Sequence, residues 1–320
     1  MASAAELRMM TRVARMYHTE GVRQPQIAAR LGLSQARVSR LLKKAEEEGV
    51  VRITVATPPG AHPELEDALQ HRYGLQLALV VDAHDDEEQR VLAELGTAAA
   101  HYLEVTLRSG DVVGLSAWST ALRTTVDAMR AVPGLRDVRV VQILGGIGSP
   151  TAPEHAVRLT ARLAELVRGE AVHLPSPGVA GSTASARALR EDPFVARGMA
   201  LFERVTVALV GIGSVESATA PSGGAAVLEP AEVAELRRAG AVGDVCLRFF
   251  DATGRLVDGA TADRVIGMPP ELLRAAPRAV AVAGGPRKTA AIHGALRAGL
   301  VDVLITDRFT AERLIAEHTV

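Results

Sequence analysis

The sequence predicts an α/β protein: a small N-terminal helix-turn-helix domain with a wing, then a larger domain of parallel strands covered by helices. Three observations carry that prediction. Residues 1–56 hold three short amphipathic patterns followed by an alternating apolar run. Residues 57–63, TPPGAHP, break every surrounding period with three prolines and a glycine, as a linker does. Residues 64–320 alternate short apolar runs with helical patterns, the βαβα signature of a parallel sheet. A chain of 320 residues has room for a reading module and one larger domain.

The N-terminal elements follow in order. Leu7, Met10, Ala14 and Tyr17 recur at helical spacing and predict a first helix. Pro25 stands where the first turn of a second helix, PQIAARL, accepts it. Gly32 breaks that helix, and the Ser34 hydroxyl can cap the next, whose Val38, Leu41 and Leu42 form an i, i+3, i+4 packing stripe. After Gly49 the run VVRITVA alternates as a wing strand would. That stripe leaves Gln35, Arg37, Ser39 and Arg40 off the core near the helix N-terminus, the end that meets base edges in the major groove. Arg offers a bidentate fork to guanine and Gln pairs with adenine, while Ser34, Ser39, Lys43 and Lys44 suit phosphates. A solvated amphipathic helix would carry similar charges, but three helices and a wing in sequence point to double-stranded DNA.

Composition agrees. Net charge is −1, yet residues 1–60 hold ten Lys or Arg against five Asp or Glu, and the remainder 26 against 32. Basic charge therefore gathers where phosphate attraction needs it. Hydrophobic content is 48% with only 3% aromatic, so the interior is built from Ala, Val, Leu and Ile, which suits parallel strands. No apolar run of membrane-spanning length and no signal-peptide pattern appear, which predicts a cytoplasmic protein with no membrane partner. The lone Cys246, in the strand-like run DVCLRFF, excludes an intramolecular disulfide and reads as core filler.

In the larger domain the alternation runs LQLALVV, EEQRVLAELGTAAAHYLEVTL, DVVGLSA, TALRTTVDAMRAV and VRVVQIL. It resumes with VTVALVGIG, RAVAVAGG, PRKTAAIHGALRAG, VDVLIT and FTAERLIAEH. Ligands of open parallel sheets bind beyond the carboxyl ends of strands. There this sequence places Ser116, Ala117, Trp118, Ser119 and Thr120; Gly145, Gly146, Ile147 and Gly148; Gly211, Ile212 and Gly213; and Gly284, Gly285 and Lys288. Ser119 and Thr120 begin a helical pattern whose free N–H groups favour an anion. The glycines permit close backbone approach, and Lys288 adds a full positive charge. Singly, a Ser-Thr pair is an N-cap and Gly-Gly a tight turn; four such loops converging would hold a sugar phosphate.

Trp118 is a candidate to stack on a ring or to fill core. Asp251 and Asp263 are candidates to accept sugar hydroxyls, against the alternative of turn aspartates or internal ion pairs with Arg248 or Arg264. Thr306 and Asp307 read as the cap of the last helix rather than a fifth loop. HExxH, Cys/His clusters, a GxSxG elbow and a Walker lysine loop are all missing from the sequence, so no metal and no cofactor are expected.

Several long segments, in order, carry a resemblance: AARLGLSQARVSRLLKKAEEEGVVRI, VVQILGG, VALVGIG, AGAVGDVCLRFFDATG, DRVIGMP and AVAGGPRKTAAIHGALRAGLVDVLITD. Over nearly the whole chain they resemble the SorC family of bacterial sugar-binding transcriptional regulators. The resemblance implies a helix-turn-helix head on a Rossmann-like effector domain similar to the ribose-phosphate isomerase and CoA-transferase type. It also implies homo-tetramers on operator DNA whose affinity is set by a sugar or sugar phosphate, and a role in carbohydrate or polyol metabolism rather than catalysis. Carried over by position, the effector loops are Ser116 to Thr120, Gly145 and Gly146, Gly211 to Gly213, and Gly284, Gly285 and Lys288. Two departures stand out. The first loop reads GLSAWST where many members read GxGWGxT or SWGxT, and Pro286-Arg287 precede the lysine where an acid is frequent, so that Arg287 would add positive charge. The alternative is a sugar-phosphate isomerase or deaminase-like enzyme with a DNA-binding head, in which Asp251, Asp263 and Lys288 are the acid/base candidates.

Overall fold

The computed structural model describes residues 3–53, 56, 58–147, 153–218, 228–257 and 259–316. The chain divides into two compact units, Met1–Pro58 and Pro59–Val320.

The first unit holds helices α1 (Ala4–Ala14), α2 (Gln24–Leu31) and α3 (Gln35–Glu47). The Ser3 hydroxyl caps α1 by accepting the Glu6 N–H, and the helix continues into one π-helical turn, Arg15–Thr19. Such a turn shifts the helical period, so Met16 joins Met10, Val13 and Ala14 in the core while Tyr17 turns outward and is 39% exposed. Leu7, expected on the same stripe, lines a surface groove instead. Gly32, at φ +65°, supplies the left-handed residue that ends α2, and Ser34 Oγ accepts the Arg37 N–H at 3.2 Å to start α3. Ile27, Ala28, Val38, Leu41, Leu42 and Ala45 complete one small core. Val51–Ile53 form no strand, and positions 54, 55 and 57 of the expected wing lie outside the described residues.

In the second unit the chain order is α4 (Pro63–Tyr73), β1 (Leu77–Val81), α5 (Glu88–Thr106), β2 (Val112–Leu115), α6 (Thr120–Ala128), β3 (Arg139–Gln142), α7 (Pro153–Leu166) and β4 (Glu170–Val172). There follow α8 (Thr183–Glu191), α9 (Pro193–Met199), β5 (Val207–Val210), β6 (Gly213–Ser214), α10 (Pro230–Arg238), β7 (Ala241–Val245), β8 (Arg248–Asp251) and α11 (Ala260–Arg264). The unit ends with α12 (Pro270–Ala275), β9 (Arg278–Val282), α13 (Thr289–Arg297), β10 (Val303–Asp307) and α14 (Arg308–Ala316). Seven strands make a parallel sheet in the order β1-β10-β9-β5-β2-β3-β4.

Each apolar run splits by alternation. Ala208, Val210, Ala279 and Ala281 enter one core with α4, α13 and α14; Val207, Leu209, Val280 and Val282 enter the other with α5, α6 and α7. Helices α5 and α6 meet closely at Gly96, where a Cβ would stand 2.8 Å from Thr124 Cβ.

Two runs fold differently from the expectation. VTVALVGIG breaks after β5, and Gly213 begins β6 in a second, antiparallel sheet, β6-β7-β8. DVCLRFF is a hairpin rather than one strand: Val245 pairs with Arg248 across a two-residue turn whose Cys246 and Leu247 have φ of +53° and +59°. Both signs match the turn that two-residue hairpins favour, though such turns usually carry Asn-Gly. The Asp244 carboxylate braces it by accepting the Leu247 N–H at 2.9 Å.

Candidate functional site

Strands β9, β5, β2 and β3 are consecutive neighbours and all parallel, so the four loops singled out in the sequence leave the sheet along one edge. Contacts link them directly. The Ser116 N–H donates to Leu209 O at 3.0 Å, and Gly211 has room only for hydrogen, since a Cβ there would stand 2.5 Å from Ser119 Oγ. Ser119 Oγ accepts the Leu122 N–H and begins α6 at Thr120. The half-buried Trp118 indole donates Nε1–H to Gly145 O at 3.0 Å, joining the β2 and β3 loops. Lys288 Nζ donates to Ile212 O at 2.9 Å, joining the β9 and β5 loops.

Several of the glycines lie close against other parts of the chain. Gly145 fits against the carbonyl of Pro177, Gly213 against the carboxylate of Asp244, and Gly284 against that of Asp307. The close approach each permits is to another part of the chain. Gly146 likewise donates its N–H to Ser176 O. Gly285 is a glycine for its φ of +94°, and its N–H is held by the fully buried Asp307 at 2.9 Å. The same carboxylate accepts the Thr310 N–H and hydroxyl, so Asp307 both caps α14 and fixes the lysine-bearing loop. Gly148 lies outside the described residues.

One important side chain escaped the sequence reading. Asp244 sits at the end of β7 opposite Gly213, within electrostatic reach of Lys288. Burial pushes its carboxyl up to about 6, against the pull of the Leu247 N–H and of Lys288. Burial in turn pulls the Lys288 ammonium down, with Asp244 opposing. Cys246 follows on the hairpin beside Ser116, its thiol pushed up to about 12 by burial, so it stays protonated at neutral pH. A single acid inside an apolar run, GAVGDVCLRFF, is the only signal that could have drawn attention to Asp244.

At three side chains the structure decides between the alternatives that the sequence left open. The Asp251 carboxylate is consumed by its own turn, accepting the Thr253 N–H and hydroxyl and the Arg255 N–H and Nε–H, and its cation is Arg255 rather than Arg248 or Arg264. Asp263 is exposed on α11, and Arg264 pairs instead with Glu232. Neither aspartate is among the contacts that join the four loops. Arg287 is ion-paired with Glu88 and adds no uncompensated charge beside Lys288.

On the first unit, Gln35, Arg37, Ser39 and Arg40 are exposed on α3, as a base-reading surface requires. The Ser34 hydroxyl is occupied by its cap, and Arg40 Nε donates to Ala36 O. Lys44, expected to hold phosphate, is bound at 2.6 Å to Glu6 and ties α3 to α1; this contact holds the Glu6 carboxyl below and the Lys44 ammonium above their ordinary values. Lys43 lies 3.9 Å from Glu47. Among the described residues, no group of His, Cys, Asp and Glu could hold a metal ion, and no helix is long and apolar enough to cross a membrane.

Known proteins match both units. The family described as "Putative sugar-binding domain" matches residues 58–316, and "Winged helix-turn-helix DNA-binding" matches residues 17–52. The chain is 34% identical over 302 residues to the deoxyribonucleoside regulator of Bacillus subtilis, covering 94% of this chain and 95% of that protein. It is 30% identical over 329 residues to the sorbitol operon regulator of Klebsiella pneumoniae, covering 98% and 100%. The crystal structure of that full-length regulator superposes with a TM-score of 0.74 at 28% identity, covering 98% of this chain and all of the other. A two-unit chain with a helix-turn-helix head, a parallel-sheet body and these relatives over almost its full length belongs to the SorC family of sugar-binding transcriptional regulators.

Proposed function

We propose that this regulator, working in the cytoplasm as a homo-oligomer and most simply as a tetramer, binds double-stranded operator DNA with the first unit and a sugar or sugar phosphate with the second. Gln35, Arg37, Ser39 and Arg40 are the base-reading set. The effector site is the edge where the β2, β3, β5 and β9 loops meet: the α6 N-terminus with Ser119 and Thr120, Trp118, and the Lys288–Asp244 pair. The observation that carries this reading is Lys288 itself, whose ammonium is held by one neutral carbonyl, Ile212 O, and balanced chiefly by Asp244. Lys288 would meet a phosphate, and Asp244 would accept a sugar hydroxyl. Effector and operator then act on each other through one conformational equilibrium.

Binding without turnover is the reading that the relatives support, since they are named as regulators. Of the three acid/base candidates, Asp251 is spent in a turn and Asp263 lies exposed on α11, so neither accompanies Lys288.

A thermal-shift series over sugars, polyols and their phosphates identifies the effector class, since a ligand that binds only the folded state raises its stability. Lys288→Ala should then weaken the phosphorylated ligand at least tenfold more than its unphosphorylated counterpart, as loss of a charge-assisted hydrogen bond requires. Equal losses for the two would remove Lys288 from the phosphate site.

A further inference from the structure

We infer that Arg8, Arg12, Arg15 and Arg30 form a second nucleic-acid contact that grips the phosphate backbone beside the groove read by α3. This rests on the DNA-binding reading above. Arg8, Arg12 and Arg15 are spaced i, i+4, i+7 along α1 and its π-helical turn, away from the face that buries Met10, Val13 and Ala14. Arg30, in the last turn of α2, joins them along one open groove, and all four are exposed.

Among the described residues, their lack of a carboxylate partner, shared with Arg37 and Arg40, separates them from the lysines of α3. The lysines of α3 are compensated, Lys44 by Glu6 and Lys43 by Glu47. None of the four arginines is ion-paired to a carboxylate among the described residues, and Glu20 is the one acid on the groove. Like charges at i, i+3 and i+4 destabilise a helix, and a bound polyanion reverses that penalty. Arg also presents the planar fork that suits phosphate.

Spacing selects the polyanion. From Arg8 to Arg15 the helix rises about 10 Å, and one strand of a duplex carries a phosphate about every 3.4 Å along its axis, so the row spans roughly three phosphates. Position agrees with spacing. Arg30 stands four residues before Ser34, the cap of α3, so the groove opens beside the end of α3 that meets the bases.

The test compares wild type, the triple variant Arg8→Gln, Arg12→Gln, Arg15→Gln, the single variant Arg30→Gln, and the double variant Arg37→Ala, Arg40→Ala. Each is titrated between 50 and 300 mM KCl with the DNA preceding the protein's own gene and with an unrelated duplex of equal length. The triple variant should lose affinity for both duplexes by the same factor, on the order of tenfold or more at low salt, and its log–log salt slope should shrink by about 2–3. Arg30→Gln, on a different helix, should shrink the slope by about 1, and the double variant should instead lose discrimination between the duplexes. Wild-type affinity and slope in both the triple and the single variant overturn the inference, as does a loss confined to the cognate duplex; an acidic protein on this face would give the first of these results. A wild-type protein that binds neither duplex overturns the DNA-binding reading itself.

Discussion

Asp244 shows how a single residue can couple fold and site. Its carboxyl titrates at about 6 in the folded chain against an ordinary value of 3.8, because burial disfavours the charged form more than Lys288 and the Leu247 N–H favour it. A raised carboxyl value makes folded protein the tighter proton binder, so its stabilising contribution is complete below about 3.8 and is lost as pH rises through about 6. Asp244→Asn keeps an oxygen for the Leu247 N–H and cannot ionise. Relative to wild type it should gain about 1–3 kcal/mol in stability between pH 4 and pH 7.5. Urea midpoints at the two pH values measure this, and a variant that runs parallel to wild type across the range rules it out. The glycines of the site teach a complementary lesson. Gly-Gly at a strand end was legible as a place of close approach, but only the fold reveals that Asp307 and Asp244 are what come close.

At the scale of elements, the short apolar runs that become strands and the helical patterns between them were legible, and the four strand-end loops came with them. What escaped were elements whose cause is tertiary. The π-helical turn leaves no mark in composition, so it misplaced Tyr17. The β7–β8 hairpin was hidden because its turn residues are Cys246 and Leu247, buried and apolar where sequence rules look for Asn and Gly. That hairpin inverts a usual ranking. At most buried positions glycine is worse than alanine, but Leu247 holds φ +59°, which costs a residue with a Cβ about 1–2 kcal/mol. Both Leu247→Ala and Leu247→Gly should destabilise by about 2–5 kcal/mol through lost burial, with the glycine variant the more stable of the two by about 1 kcal/mol. Chemical denaturation of the pair decides; the opposite order would mean the turn is not left-handed at that residue.

For the whole molecule, the sequence separated two units, one basic and one acidic, and the long resemblance supplied what no single motif could: that a reader of DNA and a binder of sugars belong to one chain. If both ligands bias one equilibrium, the factor by which effector changes operator affinity must equal the factor by which operator DNA changes effector affinity. Measuring both at one salt concentration tests this directly, and unequal factors would mean that effector and DNA do not share a two-state linkage.

The bond between Trp118 and Gly145 O makes that measurement practical. It places the chain's single tryptophan at the rim where the strand-end loops meet, half-buried and with no second indole to dilute its emission. The protein thus carries its own optical reporter. If the effector binds at this edge, as proposed, a ligand that displaces water from the indole or breaks its hold on Gly145 changes the colour and intensity of its fluorescence, so occupancy of one unit can be followed without a label while the other is titrated with DNA.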